Sequence, residues 1–213
     1  MGSCAACGAP LGSVLVCEAC GALRDAGAAP SPFEVLGLPA AFAVDPARLR
    51  RRLLELSRRI HPDFFGAAEP AVRALAERNT AQLNTAHQLL ADEARRADHL
   101  VAALGGPRES EERAMPPEFL QEVLEWSEAI EDARAAAPGS PARTALAALA
   151  QGLDAEHARL LARLSALLTP LPERGARALT EARQRLNAVR YLERARREIA
   201  ELALPRPPAP APR

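Results

Sequence analysis

Arg58-Arg59-Ile60-His61-Pro62-Asp63-Phe64-Phe65 is the stretch whose reading decides the fold. An arginine-rich run, Ala47 to Ile60, precedes the tripeptide, and a second amphipathic run extends from about Glu69 to Leu90. Asp45-Pro46 supplies a helix start, with Asp45 as N-cap and Pro46 at the first helical position. Leu49, Leu53, Leu56 and Ile60 then recur at helical spacing and form one apolar stripe. Arg48, Arg51, Arg52, Arg58 and Arg59 lie largely off that stripe. In the second run, Val72, Leu75, Leu83, Ala86 and Leu90 mark an inward face. The two stripes can zip into an antiparallel pair, a helical hairpin that presents His61, Pro62 and Asp63 at its tip. A three-residue match is short, and the residues by themselves leave two readings of the tip open. His61 can act as a base oriented by Asp63, although no Ser or Cys nucleophile is marked by a motif. Alternatively, Asp63 only turns a loop and the arginines only solubilise a helix.

Composition supports helices around this hairpin. The chain has 213 residues, 48% of them hydrophobic but only 3% aromatic. Alanine, leucine and arginine dominate, which favours helix over sheet beyond the N-terminus. The formal net charge is zero, so no global field draws the chain to nucleic acid or an anionic membrane. All 27 basic residues are arginine, which excludes lysine Schiff-base chemistry and a P-loop lysine. No apolar run approaches a membrane span, and Met1-Gly2-Ser3-Cys4 lacks the layout of a secretory signal. The expectation is a cytoplasmic protein that binds neither membrane nor nucleic acid.

Further along, a short helix is expected at Phe33–Leu36, stopped by Gly37 and Pro39. Asp92 caps a helix carrying Ala97, Leu100, Val101 and Leu104, ended by Gly105-Gly106-Pro107. Pro116-Pro117 opens a helix running to about Ala137, and Pro138-Gly139-Ser140-Pro141 makes a turn. A long helix follows to about Leu168, Thr169-Pro170-Leu171-Pro172 breaks it, and a last helix spans about Glu173 to Leu204. The expected organisation is a cysteine head (1–24), a linker (25–31), a hairpin domain with its connecting helix (32–104) and a solvated connector (105–115). A three-helix bundle (116–204) and a proline-rich tail (205–213) complete it. The fold class is all-α.

The four cysteines read Cys4-Ala-Ala-Cys7-Gly8 and Cys17-Glu-Ala-Cys20-Gly21. Two CxxC pairs at this separation match a tetrahedral four-thiolate site for structural zinc, a small zinc knuckle. A segment this small has no core of its own, so metal binding would supply its folding energy. Two disulfides are the alternative, disfavoured in a cytosolic chain, and an iron–sulfur cluster would also suit thiolates. His87 and His99 sit within helical patterns, and His157 lies beside Glu156 and Arg159 on a polar face.

A basic helix, His61-Pro62-Asp63 and an antiparallel return helix together resemble a J-domain. The resemblance narrows to the HscB-type iron–sulfur co-chaperones through Ser31-Pro32-Phe33-Glu34-Val35-Leu36-Gly37-Leu38-Pro39 and Leu83-Asn84-Thr85-Ala86-His87-Gln88-Leu89-Leu90. Arg96-Ala97-Asp98-His99-Leu100, Pro117-Glu118-Phe119-Leu120 and Arg185-Leu186-Asn187-Ala188-Val189-Arg190-Tyr191-Leu192 extend it over about residues 32–202. Some relatives also carry an N-terminal double-CxxC head. The resemblance implies a co-chaperone, not an enzyme. It would dock on a DnaK/HscA-type chaperone ATPase through His61, Pro62, Asp63, Arg48, Arg51, Arg52, Arg58 and Arg59, and stimulate ATP hydrolysis there.

The C-terminal bundle would bring the iron–sulfur cluster scaffold protein to that chaperone. Phe119, Val123, Trp126 and Ile130 form the expected core stripe of its first helix, and Leu120 and Leu124 a second stripe about 100° away. The resemblance assigns scaffold binding to Leu120, Leu124, Glu125, Glu128 and Tyr191. Phe64 stands where the family often has a basic residue, His87 where an aromatic is common, Gln121 where an apolar residue is often seen and Ser127 where a basic one is. A J-domain protein for other clients and a zinc-organised adaptor are the competing readings.

Overall fold

The protein is described from a computed structural model covering residues 2–137 and 139–203. Pro138 of the expected turn, Leu204 and the proline-rich segment 205–213 lie outside the described residues. Among the described residues seven α-helices run in order: α1 Pro32–Leu36, α2 Pro46–Ile60, α3 Pro70–Ala91, α4 Glu93–Ala103, α5 Pro117–Ala135, α6 Pro141–Leu168 and α7 Arg177–Ala203. A 3₁₀ turn, Pro62–Phe65, joins α2 to α3. Among the described residues the β component is two isolated bridges in the head, Ser3 with Pro10 and Val16 with Leu23. The chain divides into two compact units, Met1–Arg96 and Ala97–Arg213, with the division inside α4.

In the first unit, the Asp45 side chain accepts from the Ala47 amide and Pro46 opens α2, as the local signals require. Leu49, Leu56 and Ile60 of α2 are buried, with Leu53 half-buried beside them. They meet the α3 face carrying Ala76, Leu83, Ala86 and Leu90. The Thr80 hydroxyl reaches the Ile60 carbonyl at 3.4 Å, which places the end of α2 beside the first half of α3. Pro46, Leu49 and Leu53 share a groove with Leu90 and Ala91, so the two helices run antiparallel. The buried Arg96 ties this unit's far end together. Its Nε donates to the Phe42 carbonyl at 2.7 Å, and its guanidinium lies over the Phe42 ring at 5.1 Å.

The cysteine head differs from the sequence expectation in one respect. It is not a coreless knuckle on a free linker, because Leu15, Val16 and Cys17 are fully buried. Asn79, fully buried on α3, donates through Nδ2 to the carbonyls of Leu15 (2.9 Å) and Arg24 (3.0 Å). Ser13 donates to the Val35 carbonyl at 2.7 Å. The segment read as a linker is laid along α3 by Arg78–Asp25 (3.3 Å) and by Gln82 donating to the Gly27 carbonyl (2.7 Å). Gly37 lets the Gly12 backbone of the head come close to the end of α1. Its φ is 65°, and a Cβ there would sit 1.9 Å from the Gly12 carbonyl oxygen and 2.8 Å from Arg52 Nη2.

In the second unit, α5, α6 and α7 pack as a bundle. Leu146, Leu153, Leu160, Leu164 and Leu168 of α6 form one buried stripe against Leu179, Leu186, Val189 and Leu192 of α7. Phe119 and Ile130 of α5 are buried, whereas Val123 and Trp126 of the expected core stripe are half-buried. The last helix begins at Arg177 rather than Glu173. Gly175 (φ 73°) interrupts that run and donates its amide to the Leu104 carbonyl at 2.9 Å. The connector is pinned to α7 rather than simply solvated. Asn187 donates to the carbonyls of Glu112 and Ala114, both at 2.9 Å. The buried Arg183 donates to the Pro107 carbonyl at 2.9 Å and pairs with Asp98, which also pairs with Arg190 at 2.9 Å.

Gly37→Ala is expected to destabilise the first unit by more than the ~1 kcal/mol of a left-handed alanine, because backbone must also move. Thermal unfolding followed by circular dichroism checks this: a melting temperature within a degree of wild type contradicts the close approach.

Candidate functional site

Three places carry the residues singled out by the sequence. The first is the cysteine cluster. Each CxxC is followed by a glycine at positive φ, Gly8 at 74° and Gly21 at 75°, which folds each turn back on its first cysteine. The Gly8 amide donates to the Cys4 carbonyl and the Gly21 amide to the Cys17 carbonyl, both at 2.8 Å. All four sulfurs come within 4.8 Å of one another, with Cys4–Cys20 at 3.8 Å and Cys7–Cys17 at 3.7 Å. These separations exclude disulfides, whose sulfurs lie about 2.05 Å apart. They fit one tetrahedral ion, since metal–sulfur bonds of about 2.3 Å place sulfurs about 3.8 Å apart.

The thiols are electrostatically unlike. The Cys20 amide leads in pulling Cys17 down to about 6, with the Ala19 amide adding to it. The amides of Ala6 and Cys7 lower Cys4. The Ala9 amide acts to lower Cys7, but the neighbouring Cys20 and Cys17 thiols and burial outweigh it and push Cys7 up to about 12. Four adjacent thiols therefore do not all ionise by themselves; a cation would compensate their charge. Cys4, Cys7, Cys17 and Cys20 would hold it, and it would fasten the two turns together.

The second place is the hairpin tip. The 3₁₀ turn Pro62–Phe65 buries none of its own residues. The Asp63 amide donates to His61 Nδ1 at 3.3 Å, and the Asp63 carboxylate lies 3.4 Å from the same nitrogen. The Asp63 side chain is 87% exposed and Phe64 is 72% exposed, so the tip is an open surface rather than an enclosed catalytic dyad. Arg48, Arg51, Arg58 and Arg59 are exposed on α2. Arg52 is the departure from expectation: its side chain is only 17% exposed. It pairs with Glu18 at 2.7 Å, with Glu55 at 3.0 Å, and donates to the Leu36 carbonyl at 3.0 Å. The physical reason is its azimuth, next to the Leu49–Leu56–Ile60 stripe and under the head. The Arg52 hydrogen bond holds the Glu18 carboxyl below its ordinary range.

The third place is α5. Leu120 (46% exposed) and Leu124 (67%) form an outward apolar pair, flanked by exposed Gln121, Glu125 and Glu128. Tyr191 of α7 is half-buried at the edge of this strip. Its hydroxyl lies 3.1 Å from Ser127 Oγ, which also donates to the Val123 carbonyl at 2.8 Å. Its ring meets Phe119 edge-on at 6.2 Å, and Phe119 in turn meets Trp126 at 5.5 Å. His157, expected on a polar face, lies 3.5 Å from Glu193 of α7. Sequence reasoning missed Glu18 and Asn79. The one available signal was a polar Asn79 at a core position of α3, in step with Ala76, Leu83, Ala86 and Leu90.

Purified protein is expected to carry one metal ion per chain by mass spectrometry of the elements, and Cys17→Ser to lose it. Four thiols reacting at once with a disulfide reagent in freshly purified protein contradict a closed site.

Residues 115–200 match the family described as the HSCB C-terminal oligomerisation domain. The co-chaperone protein HscB homolog of Bordetella parapertussis is 37% identical over 142 residues, spanning 66% of this chain and 80% of the relative. That of Burkholderia mallei is 37% identical over 147 residues, spanning 68% and 82%. Among solved structures, the chaperone HscB from Vibrio cholerae superposes with a TM-score of 0.63 at 28% identity, over 80% of this chain and 96% of that one. The human co-chaperone protein HscB shares the fold with a TM-score of 0.70 at 24% identity, over 93% and 97%. With an exposed His-Pro-Asp tip ahead of a bundle that matches in sequence and in structure, the chain belongs to the HscB co-chaperone family.

Proposed function

We propose that this protein docks on a DnaK/HscA-type chaperone, stimulates its ATPase and delivers the iron–sulfur cluster scaffold protein to it. The observation that carries the reading is the open tip, an 87%-exposed Asp63 carboxylate at the end of an arginine-lined hairpin, in a chain of the HscB family. Pro62 fixes its own φ and so stiffens the turn behind Asp63. Asp63 pairs with an arginine of the chaperone. Arg48, Arg51 and Arg58 on the outer side of α2 steer the encounter with an acidic surface. Arg59 contributes less, since its Nη1 already donates to the Glu18 carbonyl at 2.9 Å, and Arg52 is turned inward.

The scaffold binds the α5 strip. Leu120 and Leu124 supply apolar area, Glu125 and Glu128 supply charge around it, and Tyr191 is held at its edge by Ser127. Gln121 and Ser127 make this face less apolar and less basic than the family pattern. Zinc in the cysteine cluster is structural, because four protein thiolates leave no open coordination position. The protein's effect is then exerted in the cytoplasm on another protein's catalysis rather than by chemistry of its own. No helix among the described residues is long and apolar enough to cross a membrane.

Asp63→Asn is expected to reduce stimulation of the chaperone's steady-state ATPase at least tenfold while scaffold binding is retained. Leu120→Ala with Leu124→Ala is expected to weaken scaffold binding by on the order of tenfold or more, about 1.4 kcal/mol. ATPase stimulation without scaffold should survive that pair of changes. Intact stimulation by the Asp63→Asn protein overturns the docking assignment, and unchanged scaffold affinity overturns the assignment of the α5 strip.

A further inference from the structure

The charged face of α2 is divided by what covers it. At about 100° per residue, Arg52, Arg59, Arg48, Glu55, Arg51 and Arg58 fan in that order over roughly 120° of the helix. Arg52 and Arg59 lie at the edge next to the core stripe, and Arg51 and Arg58 at the edge towards solvent. Both inner arginines are held by one residue of the head. Arg52 Nη2 and Nη1 donate to the two carboxylate oxygens of Glu18 at 2.7 and 3.3 Å, and Arg59 Nη1 donates to the Glu18 backbone carbonyl at 2.9 Å.

Glu18 is no arbitrary head residue. It stands inside the second CxxC, between Cys17 and Cys20, so the geometry of the metal turn and the placement of its carboxylate are the same geometry. Gly12 backs that carboxylate so closely that a Cβ there would be 2.5 Å from Glu18 Oε1. Release of Glu18 would leave Arg52 with Glu55, itself on the outer fan, and with the Leu36 carbonyl.

We infer that the Cys17–Cys20 turn is a metal-dependent latch on the docking helix. With four thiolates closed on one ion, Glu18 keeps Arg52 off the docking face. With the site open, Arg52 swings outward and joins Arg48, Arg51, Arg58 and the already exposed Arg59. The first half of this inference concerns the chain alone; its consequence for docking rests on the proposed chaperone function. The added positive charge of Arg52 on the docking face raises the electrostatically steered association rate, and salt erases the gain.

The full-length protein serves for the test, loaded with zinc, stripped by chelator with metal content verified, and as a Glu18→Ala variant. Arginine labelling by phenylglyoxal, read by peptide mass spectrometry, is expected to rise at least threefold at Arg52 in stripped and Glu18→Ala protein. Arg51 is the internal reference and should not change. Association with the ATP-loaded DnaK-type chaperone should be severalfold faster for Glu18→Ala at low salt and equal to wild type at high salt. Unchanged Arg52 labelling after verified stripping overturns the latch. Released Arg52 without a change in association rate overturns its effect on docking. An Asp63→Asn control that associates like wild type sinks the docking reading instead, and the labelling then judges the latch by itself.

Discussion

Burial of Leu49, Leu56 and Ile60 of α2 against Ala76, Leu83, Ala86 and Leu90 of α3 is the interaction on which the first unit depends. Each large side chain so buried contributes about 1.5–3 kcal/mol, far more than any exposed ion pair nearby. The zipper makes two helices antiparallel, and antiparallel helices require a reversal. That reversal, Pro62–Phe65, has no buried residue, so its geometry is inherited from the helices on either side. An exposed, stiff, acidic tip beside exposed arginines is therefore a mechanical consequence of the zipper. The same α3 supports the head through Asn79, which faces it from within the apolar stripe.

Much of this was legible because its causes are local. Asp45-Pro46 caps α2 with atoms two residues away, and the leucine spacing of α2 needs only helical geometry to specify a buried face. The cysteine spacing announced the four-sulfur cluster for the same reason. What was not legible depended on partners distant in sequence. On a helical wheel Arg52 is the arginine nearest the core stripe, but the wheel does not show Glu18, 34 residues away, or the Leu36 carbonyl, which hold it inward. The head read as coreless because its core is completed by α3. The start of α7 was placed early because Gly175 binds the Leu104 carbonyl, a contact the local pattern does not encode.

The second unit applies the same logic to the proposed binding face. The α5 core stripe and the Leu120–Leu124 pair lie about 100° apart, and Ser127 falls between them. The hydroxyl of Ser127 bonds Tyr191, so a residue of α7 is fixed at the border between packed and open apolar surface. Periodicity identified both stripes but not this bridge, since it requires knowing which faces of α5 and α7 meet. Leu120 and Leu124 leave apolar area uncovered beside acidic residues of a packed bundle, and the proposed scaffold contact would cover it.

Under the proposed function a chaperone ATPase docks on the hairpin tip and the outer arginines of α2. Hydrogen–deuterium exchange of the full chain, with and without an ATP-loaded DnaK-type chaperone, tests it most directly. Protection is expected along α2 and across residues 61–66, with the α5 strip unaffected until scaffold is added. Protection confined to the bundle, or none at the tip under saturating chaperone, contradicts the account.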